Sequence, residues 1–226
     1  MTPAGSPPPP PDAVVIRPYQ RTDRDAVRRL CCDTADRGHP IESFFDDRQV
    51  FADLLTRYYT ECEPQSAWVA ESGGRVVGYL TGCLDSRRRE RIMRWRIMPA
   101  VCGTALLRGV ASSVQAWRLA WAGLRTVAIS GWPRGPSLAQ YPAHLHINLA
   151  RDVRGRAIGP ALMDRFLSQA RAHGARGVHA TVRADNPAAC RFFERMGFRA
   201  VGRYHVIFPR GRRYEAHDTV FYGKTL

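Results

Sequence analysis

The segment His144–Gly159, HLHINLARDVRGRAIG, constrains the fold more than any other part of the chain. Its first apolar residues alternate as in a strand, and a turn of arginine and small residues then leads into a helix predicted from Pro160 to His173. A strand that delivers such a turn onto a helix N-terminus exposes backbone N–H groups without partners inside the helix. These N–H groups and the helix dipole attract anions, so the segment predicts a phosphate-binding loop.

The residues of this loop narrow the kind of ligand. Arg151, Arg154 and Arg156 add positive charge around the helix N-terminus. The loop lacks the Gly-Lys-Ser/Thr ending of a P-loop. It also lacks the three glycines of the dinucleotide fingerprint, and no acidic residue follows at the distance that fingerprint needs. We therefore expect a nucleotide-like cofactor held by its pyrophosphate in a different type of site.

Two motifs resemble the GCN5-related N-acetyltransferase (GNAT) superfamily. Residues 154–159, RGRAIG, are similar to the family's acyl-CoA loop, Arg/Gln-x-x-Gly-x-Gly/Ala, with Ala157 where glycine is usual. Residues 182–198, VRADNPAACRFFERMGF, resemble the family's strand-to-helix element, in which an Asn begins a helix that ends before Gly-Phe. Asn186 precedes Pro187 as a helix N-cap would, and Gly197 fits the left-handed residue that ends a helix.

The resemblance implies an α/β fold of three layers, with a mixed, mostly antiparallel sheet, helices on both faces and a helical insertion. It covers most of residues 12–226, except for the insertion at residues 85–140, where helices are predicted near Pro99–Gly109 and Ser112–Leu124. Final strands are predicted at Ala200–Ile207 and Asp218–Lys224. Residues 1–12 are proline-rich and are expected to form a disordered tail. One domain over residues 13–226 is therefore expected.

The insertion has three interpretations: a packed helical elaboration, a lid over the substrate, or a contact with a second copy or a membrane surface. It carries the arginine run Arg87–Arg96, which fits a solvated segment, an anionic partner, or cofactor or substrate binding. Arg118 and Arg125 argue against deep membrane insertion, and no membrane partner is expected.

The resemblance assigns a set of residues to the cosubstrate, acetyl-CoA. The backbone of Leu149 would pair with the pantetheine arm, Asn186 would contact the same arm, and the loop amides would hold the pyrophosphate. Phe193 stands where the family has the tyrosine that protonates the leaving thiolate, and phenylalanine has no such proton. The set comprises Leu149, Arg151, Arg154, Gly155, Arg156, Ala157, Ile158, Gly159, Asn186 and Phe193.

Acetyl transfer must remove a proton from the amine and return one to the thiolate. His146 and Asn148 share one face of the predicted strand, and a histidine that titrates near neutrality suits the base. A structural histidine is the alternative, and His217 and Asp218 are further candidates. For the acid, three alternatives stay open: no side-chain acid, Tyr204 or a water, or a protein that binds acyl-CoA without catalysis.

The composition limits the kinds of partner that the chain is expected to bind. The formal net charge is +14, but Lys224 is the only lysine among 34 basic residues, a bias more typical of genome composition than of phosphate contacts. Nucleic acid is therefore not the expected partner. Neither a membrane-spanning segment nor a signal peptide is predicted. Six cysteines without zinc-site spacing predict free, buried thiols in the cytoplasm and no metal site.

These observations predict a cytoplasmic N-acetyltransferase that moves an acetyl group from acetyl-CoA directly to a primary amine. The acceptor is a small molecule or a peptide, between which the residues do not decide. The alternative is a non-catalytic acyl-CoA-binding regulatory module. A homodimer is compatible with the insertion.

Overall fold

The computed structural model describes residues 13–210 and 213–226, so the predicted tail at residues 1–12 lies outside the described residues. The described chain forms a seven-stranded sheet in the order β1-β2-β3-β4-β5-β7-β6. Its strands are β1 (Val15–Pro18), β2 (Ala67–Ser72), β3 (Arg75–Cys83), β4 (Ala143–Leu149), β5 (Gly177–Arg183), β6 (Arg199–Arg210) and β7 (Arg213–Thr225). Its α-helices are α1 (Arg24–Asp33), α2 (Arg48–Arg57), α3 (Ser86–Ile92), α4 (Met98–Leu107), α5 (Val114–Ser130), α6 (Ile158–Ala172) and α7 (Pro187–Arg195).

Helices cover both faces of the sheet, which confirms the expected three-layer architecture. All neighbouring strands are antiparallel except β4 and β5. On one face, α6 and α7 bury residues such as Phe166 and Phe193 against Leu145 of β4. On the other face, α1 packs Val27 against Tyr79 of β3, and α2 and α4 build a further apolar cluster.

The position of α6 depends on a glycine in β3. Leu162, Phe166 and Ala170 recur every four residues and form the buried stripe of the helix. Phe166 lies directly over Gly82, where a Cβ atom would be only 2.1 Å from the ring carbon Cε2. Because Gly82 has no side chain, α6 can lie close to the sheet. This packing fixes the position of the helix whose N-terminus was predicted to bind an anion.

Helices fill the connection between β3 and β4, as predicted for the insertion. The arginine run forms α3 and a π-helical turn, Met93–Ile97, which continues into α4. The helix predicted to end at Leu124 instead continues to Ser130, where Gly131 adopts a positive φ of 72°. Its last turns are held by Thr126, whose Oγ1 accepts a hydrogen bond of 2.9 Å from the N–H of Ile207 on β6. Among the described residues, no helix is long and apolar enough to cross a membrane.

The last two strands are longer than predicted and form a hairpin that extends beyond β5. From His205 onward, β6 pairs with the first half of β7, and this part of β7 lies beyond the end of β5. Phe208 in this part packs edge-to-face on Phe44, at a centroid distance of 4.7 Å. The hairpin therefore reaches the connection between α1 and α2.

All six cysteines are free, and three of them, Cys31, Cys32 and Cys83, are buried as predicted. Cys102 on α4 is exposed, in contrast to the prediction, because no other described residues cover the side of α4 that carries it.

Candidate active site

β4 and β5 separate after only two pairs of residues. Their parallel pairing is limited to Ala143 with Val178 and His144 with His179. On the opposite side of β4, the N–H of Ala150 donates to the carbonyl oxygen of Val77 at 2.8 Å. Because backbone groups alternate in direction along a strand, those of Leu149 and Ile147 point toward β5 and into the opening. The opening therefore exposes the edge of β4 to an extended ligand.

The predicted anion loop lies at the end of this opening. Two residues with positive φ, Gly155 at 82° and Ala157 at 58°, flank Arg156 and turn the chain into α6. Ala157 is the N-cap residue, and the N–H groups of the first turn that follows have no partners within the helix. The loop therefore presents backbone donors and an exposed arginine, Arg156, as a pyrophosphate site requires. The methyl group of Ala157 is exposed and does not crowd the loop.

The other two loop arginines connect the loop to its surroundings. Arg151 donates from Nε to the carbonyl oxygen of Gly38, at 2.8 Å, in the connection between α1 and α2. Arg154 donates from Nη2 to the carbonyl oxygen of Leu149 at 3.1 Å. Its guanidinium group also occupies the space beside Gly38, where a Cβ atom would lie 2.6 Å from Nη1. The carbonyl of Leu149, expected to pair with the pantetheine arm, is thus already bonded.

The N-terminus of α7 places Asn186 near the end of β5. The side-chain Oδ1 of Asn186 accepts a hydrogen bond of 3.2 Å from the N–H of Ala189 and caps the helix as predicted. Phe193 is buried and stacks on Tyr222 at 5.7 Å, so its ring belongs to the core. The preceding Phe192, which the sequence analysis did not single out, lies 3.0 Å from the point where Gly159 would carry a Cβ atom. Phe192 therefore forms a wall of the loop.

Polar side chains form a network on the other face of β4. The Nδ2 group of Asn148 donates to the Tyr79 hydroxyl at 2.8 Å and lies 3.3 Å from Nε2 of His146. The hydroxyl of Tyr59 lies 3.0 Å from Nδ1 of His144. The structure therefore brings the two predicted catalytic residues of β4 into contact and adds two tyrosines that sequence reasoning missed.

The histidines of this network are neutral at neutral pH. Burial and, as the smaller cause, the nearby Arg89 guanidinium together lower the pKa of His146 to about 4. The same two causes, desolvation first, hold the pKa of His144 well below its usual range. The expectation that His146 titrates near neutrality is therefore wrong, because the sequence does not reveal its burial or its cationic neighbour.

Tyr204 is separated from this network. It lies on β6, so that β7 and β5 stand between it and the opening. Its hydroxyl donates a 2.6 Å hydrogen bond to the carbonyl oxygen of Gly131 at the end of α5. Tyr204 holds the insertion against the sheet and is not placed to protonate a thiolate in the opening.

A small cavity of about 10 Å³, enough for one water molecule, lies beyond the end of β5. The α1–α2 connection and the β6–β7 hairpin meet there. Its lining residues are Asp36, Ser43, Phe44, Arg183, Phe208, Pro209, Glu215 and His217.

The cavity contains acidic groups and an imidazole. Asp36 is only 7% exposed and lies 3.4 Å from the guanidinium of Arg183. Nδ1 of His217 is buried and has no hydrogen-bond partner among the described residues. Desolvation lowers the pKa of His217, and the Arg183 guanidinium lowers it further. Only His217 of these residues was a candidate from the sequence, because Asp36 and Arg183 are far apart in the chain and meet only after folding.

The chain is similar to known acetyltransferases in sequence and in fold. The model of the Acetyltransferase (GNAT) family matches residues 36–198. A segment of 64 residues is 39% identical to Mycothiol acetyltransferase of Corynebacterium glutamicum (strain R); it spans 28% of this chain and 22% of that protein. The structure of SsHAT is 28% identical, with a TM-score of 0.70 and coverage of 94% of this chain and 98% of that one. yncA of Salmonella typhimurium, solved with its cofactor acetyl-CoA, is 16% identical and shares the fold, with a TM-score of 0.58 and coverage of 95% of each chain.

Proposed function

Because the chain belongs to the Acetyltransferase (GNAT) family, we propose that it transfers an acetyl group from acetyl-CoA directly to a primary amine. The observation that carries this proposal is the opening between β4 and β5, which ends at the N-terminus of α6. The opening suits an extended arm, and the helix N-terminus suits the pyrophosphate attached to it. Acetyl-CoA supplies the activated thioester, and the protein supplies position and proton transfer.

The donor is held by the residues that frame the opening. Backbone N–H groups from Gly155 to Gly159 and the side chain of Arg156 bind the pyrophosphate. The backbone of Leu149 and the amide of Asn186 face the pantetheine arm. Arg151 and Arg154 act indirectly. Arg151 bonds the loop to Gly38 of the α1–α2 connection, and Arg154 bonds it to the carbonyl oxygen of Leu149 at the end of β4.

The acceptor amine is proposed to enter the cavity beside Arg183. The carboxylate of Asp36 attracts an ammonium group, and the cavity, with a volume of about 10 Å³, admits only the ammonium head of the amine. The neutral imidazole of His217 lines this cavity and is the candidate to take the proton of the ammonium group. His146, whose pKa is about 4, is too weak a base for this step and instead contacts Asn148 at 3.3 Å.

The leaving thiolate takes its proton from water in this proposal. Phe193 has no ionisable group, and the hydroxyl of Tyr204 is bonded to Gly131. The same observation about Phe193 favours a second candidate function, a regulatory module that binds acyl-CoA without transferring its acetyl group.

Calorimetric titration and a thiol-release assay test the proposal together. The first measures acetyl-CoA affinity, with ATP as the comparison, and the second measures CoA released in the presence of a panel of amines. Micromolar binding with amine-dependent release is expected. Binding without release for any amine would favour the regulatory module, and the absence of binding would refute both functions.

A matched pair of variants tests the loop itself. Gly159→Glu places a carboxylate at the helix N-terminus, where we expect acetyl-CoA to bind at least about tenfold more weakly because of charge repulsion. Gly159→Ala adds the same Cβ beside Phe192 without the charge. Equal losses of acetyl-CoA affinity in the two variants, with unchanged melting temperatures, would contradict a pyrophosphate site at this loop.

A further inference from the structure

The insertion exposes an unusual amount of apolar surface. Of the twelve large hydrophobic side chains that are exposed in the described chain, ten lie between Trp95 and Trp132. Leu107 is 91% exposed and Trp117 is 67% exposed. We call the part of this surface around the α4–α5 connection the apolar corner. It consists of Leu106, Leu107, Val114, Trp117, Trp121 and Leu124.

The apolar corner is not needed to attach α5 to the protein. Ala122 and Thr126, on another side of the helix, are buried, and Thr126 binds the backbone of Ile207. Trp117, Trp121 and Leu124 follow each other at helical spacing on an exposed face. An apolar face of a helix normally packs against a partner. The exposed face of α5 therefore lacks a partner within the described chain.

The charge of the insertion indicates what kind of partner it fits. The insertion, residues 85–140, contains ten arginines and two acidic residues, Asp85 and Glu90, which gives a formal net charge of +8. Arg91, Arg94 and Arg96 are exposed beside Trp95. A partner that matches this segment is negatively charged and offers apolar contact at the same time.

An anionic lipid surface matches both properties. Tryptophan is enriched where hydrocarbon meets headgroups, and arginine binds the anionic headgroups above. A second copy of this chain matches less well, since a twofold contact would place one arginine-rich surface against another. Nucleic acid matches the charge, but protein–DNA interfaces are polar, whereas Leu106 and Leu107 are aliphatic.

We propose that the apolar corner docks this protein on an anionic membrane surface. The 17 residues of α5 extend about 25 Å, less than the hydrocarbon thickness of about 30 Å, so the helix is too short to span the bilayer. The docking we propose is therefore at the membrane surface. Arg125 on α5 stays at headgroup level. This proposal revises the expectation of no membrane partner and does not depend on acetyl transfer.

Vesicle co-sedimentation of the full chain tests it. Vesicles of phosphatidylcholine alone are compared with vesicles that also contain phosphatidylglycerol. We expect sedimentation only with the anionic vesicles, a decrease with added salt, and a blue shift of tryptophan fluorescence on binding. The absence of sedimentation with both vesicles, or equal sedimentation with both, would overturn the proposal.

Variants separate the apolar contribution to vesicle binding from the electrostatic contribution. The double variant Trp117→Ala/Trp121→Ala should lower vesicle affinity at least about tenfold, because large apolar contacts with the bilayer are lost. The matched control Val15→Ala/Val201→Ala removes exposed apolar side chains outside the insertion and should bind as the unmodified chain does. Equal losses in the two double variants would overturn the assignment to the apolar corner.

The charge variant replaces Arg91, Arg94 and Arg96 with Gln. Affinity for the anionic vesicles should fall at least about tenfold. Sedimentation velocity without lipid completes the test. A dimer that dissociates in the double tryptophan variant would assign the corner to a second copy and overturn the membrane proposal.

Discussion

Ala157 adopts a backbone conformation that is unfavourable for alanine. Its φ of 58° is left-handed, which costs about 1–2 kcal/mol for a residue with a Cβ atom. Ala157→Gly should therefore raise the free energy of unfolding by about 0.5–1 kcal/mol, after the larger backbone entropy of unfolded glycine is subtracted. Urea titration measures this change.

A control for this substitution lies one turn further along α6. Ala161→Gly makes the same chemical change at a right-handed helical position and should lower stability by about 1 kcal/mol. A decrease in the free energy of unfolding of both variants would show that the loop does not hold Ala157 in a strained conformation.

Asn186 has a capping role that can be separated from its proposed contact with acetyl-CoA. Asn186→Ala removes the bond to the N–H of Ala189 and should lower the free energy of unfolding by about 1 kcal/mol. Asn186→Ser keeps a capping oxygen but loses the amide N–H₂ group. We expect the serine variant to retain stability and to bind acetyl-CoA more weakly, as measured by urea titration and calorimetry. Unchanged affinity in the serine variant would restrict Asn186 to capping.

Single residues differ in how far their roles can be predicted from the sequence. The cap at Asn186 was predictable because Asn-Pro at a helix start depends only on local geometry. The pKa of His146 was not, because it is set by burial and by Arg89, which lies on a helix of the insertion. The role of Tyr204 was missed for the same reason, since its partner Gly131 is distant in sequence.

The packing of α6 on β3 depends on Gly82. Gly82→Ala should lower the free energy of unfolding by about 1–3 kcal/mol, because the new Cβ atom would overlap the ring of Phe166 and force the helix or the ring to move. Gly123→Ala on α5 is the matched control. Its Cβ atom would meet nothing within 4 Å, and alanine favours the helix by up to about 1 kcal/mol. Denaturant unfolding of the two variants should give changes of opposite sign.

Whole elements were predictable where their periodicity is local. The strand, loop and helix from His144 onward were predicted because apolar alternation and a small-residue turn mark them. The end of α5 was not, because Thr126 and the residues after it are stabilised as a helix by contact with β6. The cavity could not be predicted either, since the β6–β7 hairpin had to reach Phe44 to form it.

The stability of the whole molecule should depend on its neutral histidines. The folded pKa of His146, about 4, lies below the unfolded value of about 6.5. The contribution of neutral His146 to the free energy of unfolding is therefore fully present above pH 6.5 and is lost as the pH falls toward 4. His144 and His179, whose pKa values are also lowered by burial, act in the same direction.

The pH dependence of unfolding checks this expectation. His146→Gln should reduce the loss of stability between pH 7 and pH 5 by about 1–2 kcal/mol. The control is His39→Gln, which removes a histidine from the exposed surface by the same chemical change. A pH dependence that is the same in His146→Gln and the unmodified chain would mean that His146 is protonated equally in both states.

The separation of β4 from β5 also has a mechanical meaning. It divides the sheet into a four-stranded part, β1–β4, and a three-stranded part, β5–β7, whose backbones are joined only at Ala143 and His144 with their partners. Beyond this short seam, the packing of apolar side chains holds the two parts together. An extended ligand that bonds to both edges would supply the missing backbone pairs as a temporary strand. The free energy of unfolding would then rise with the concentration of a small molecule, because binding to the folded state alone stabilises it by mass action.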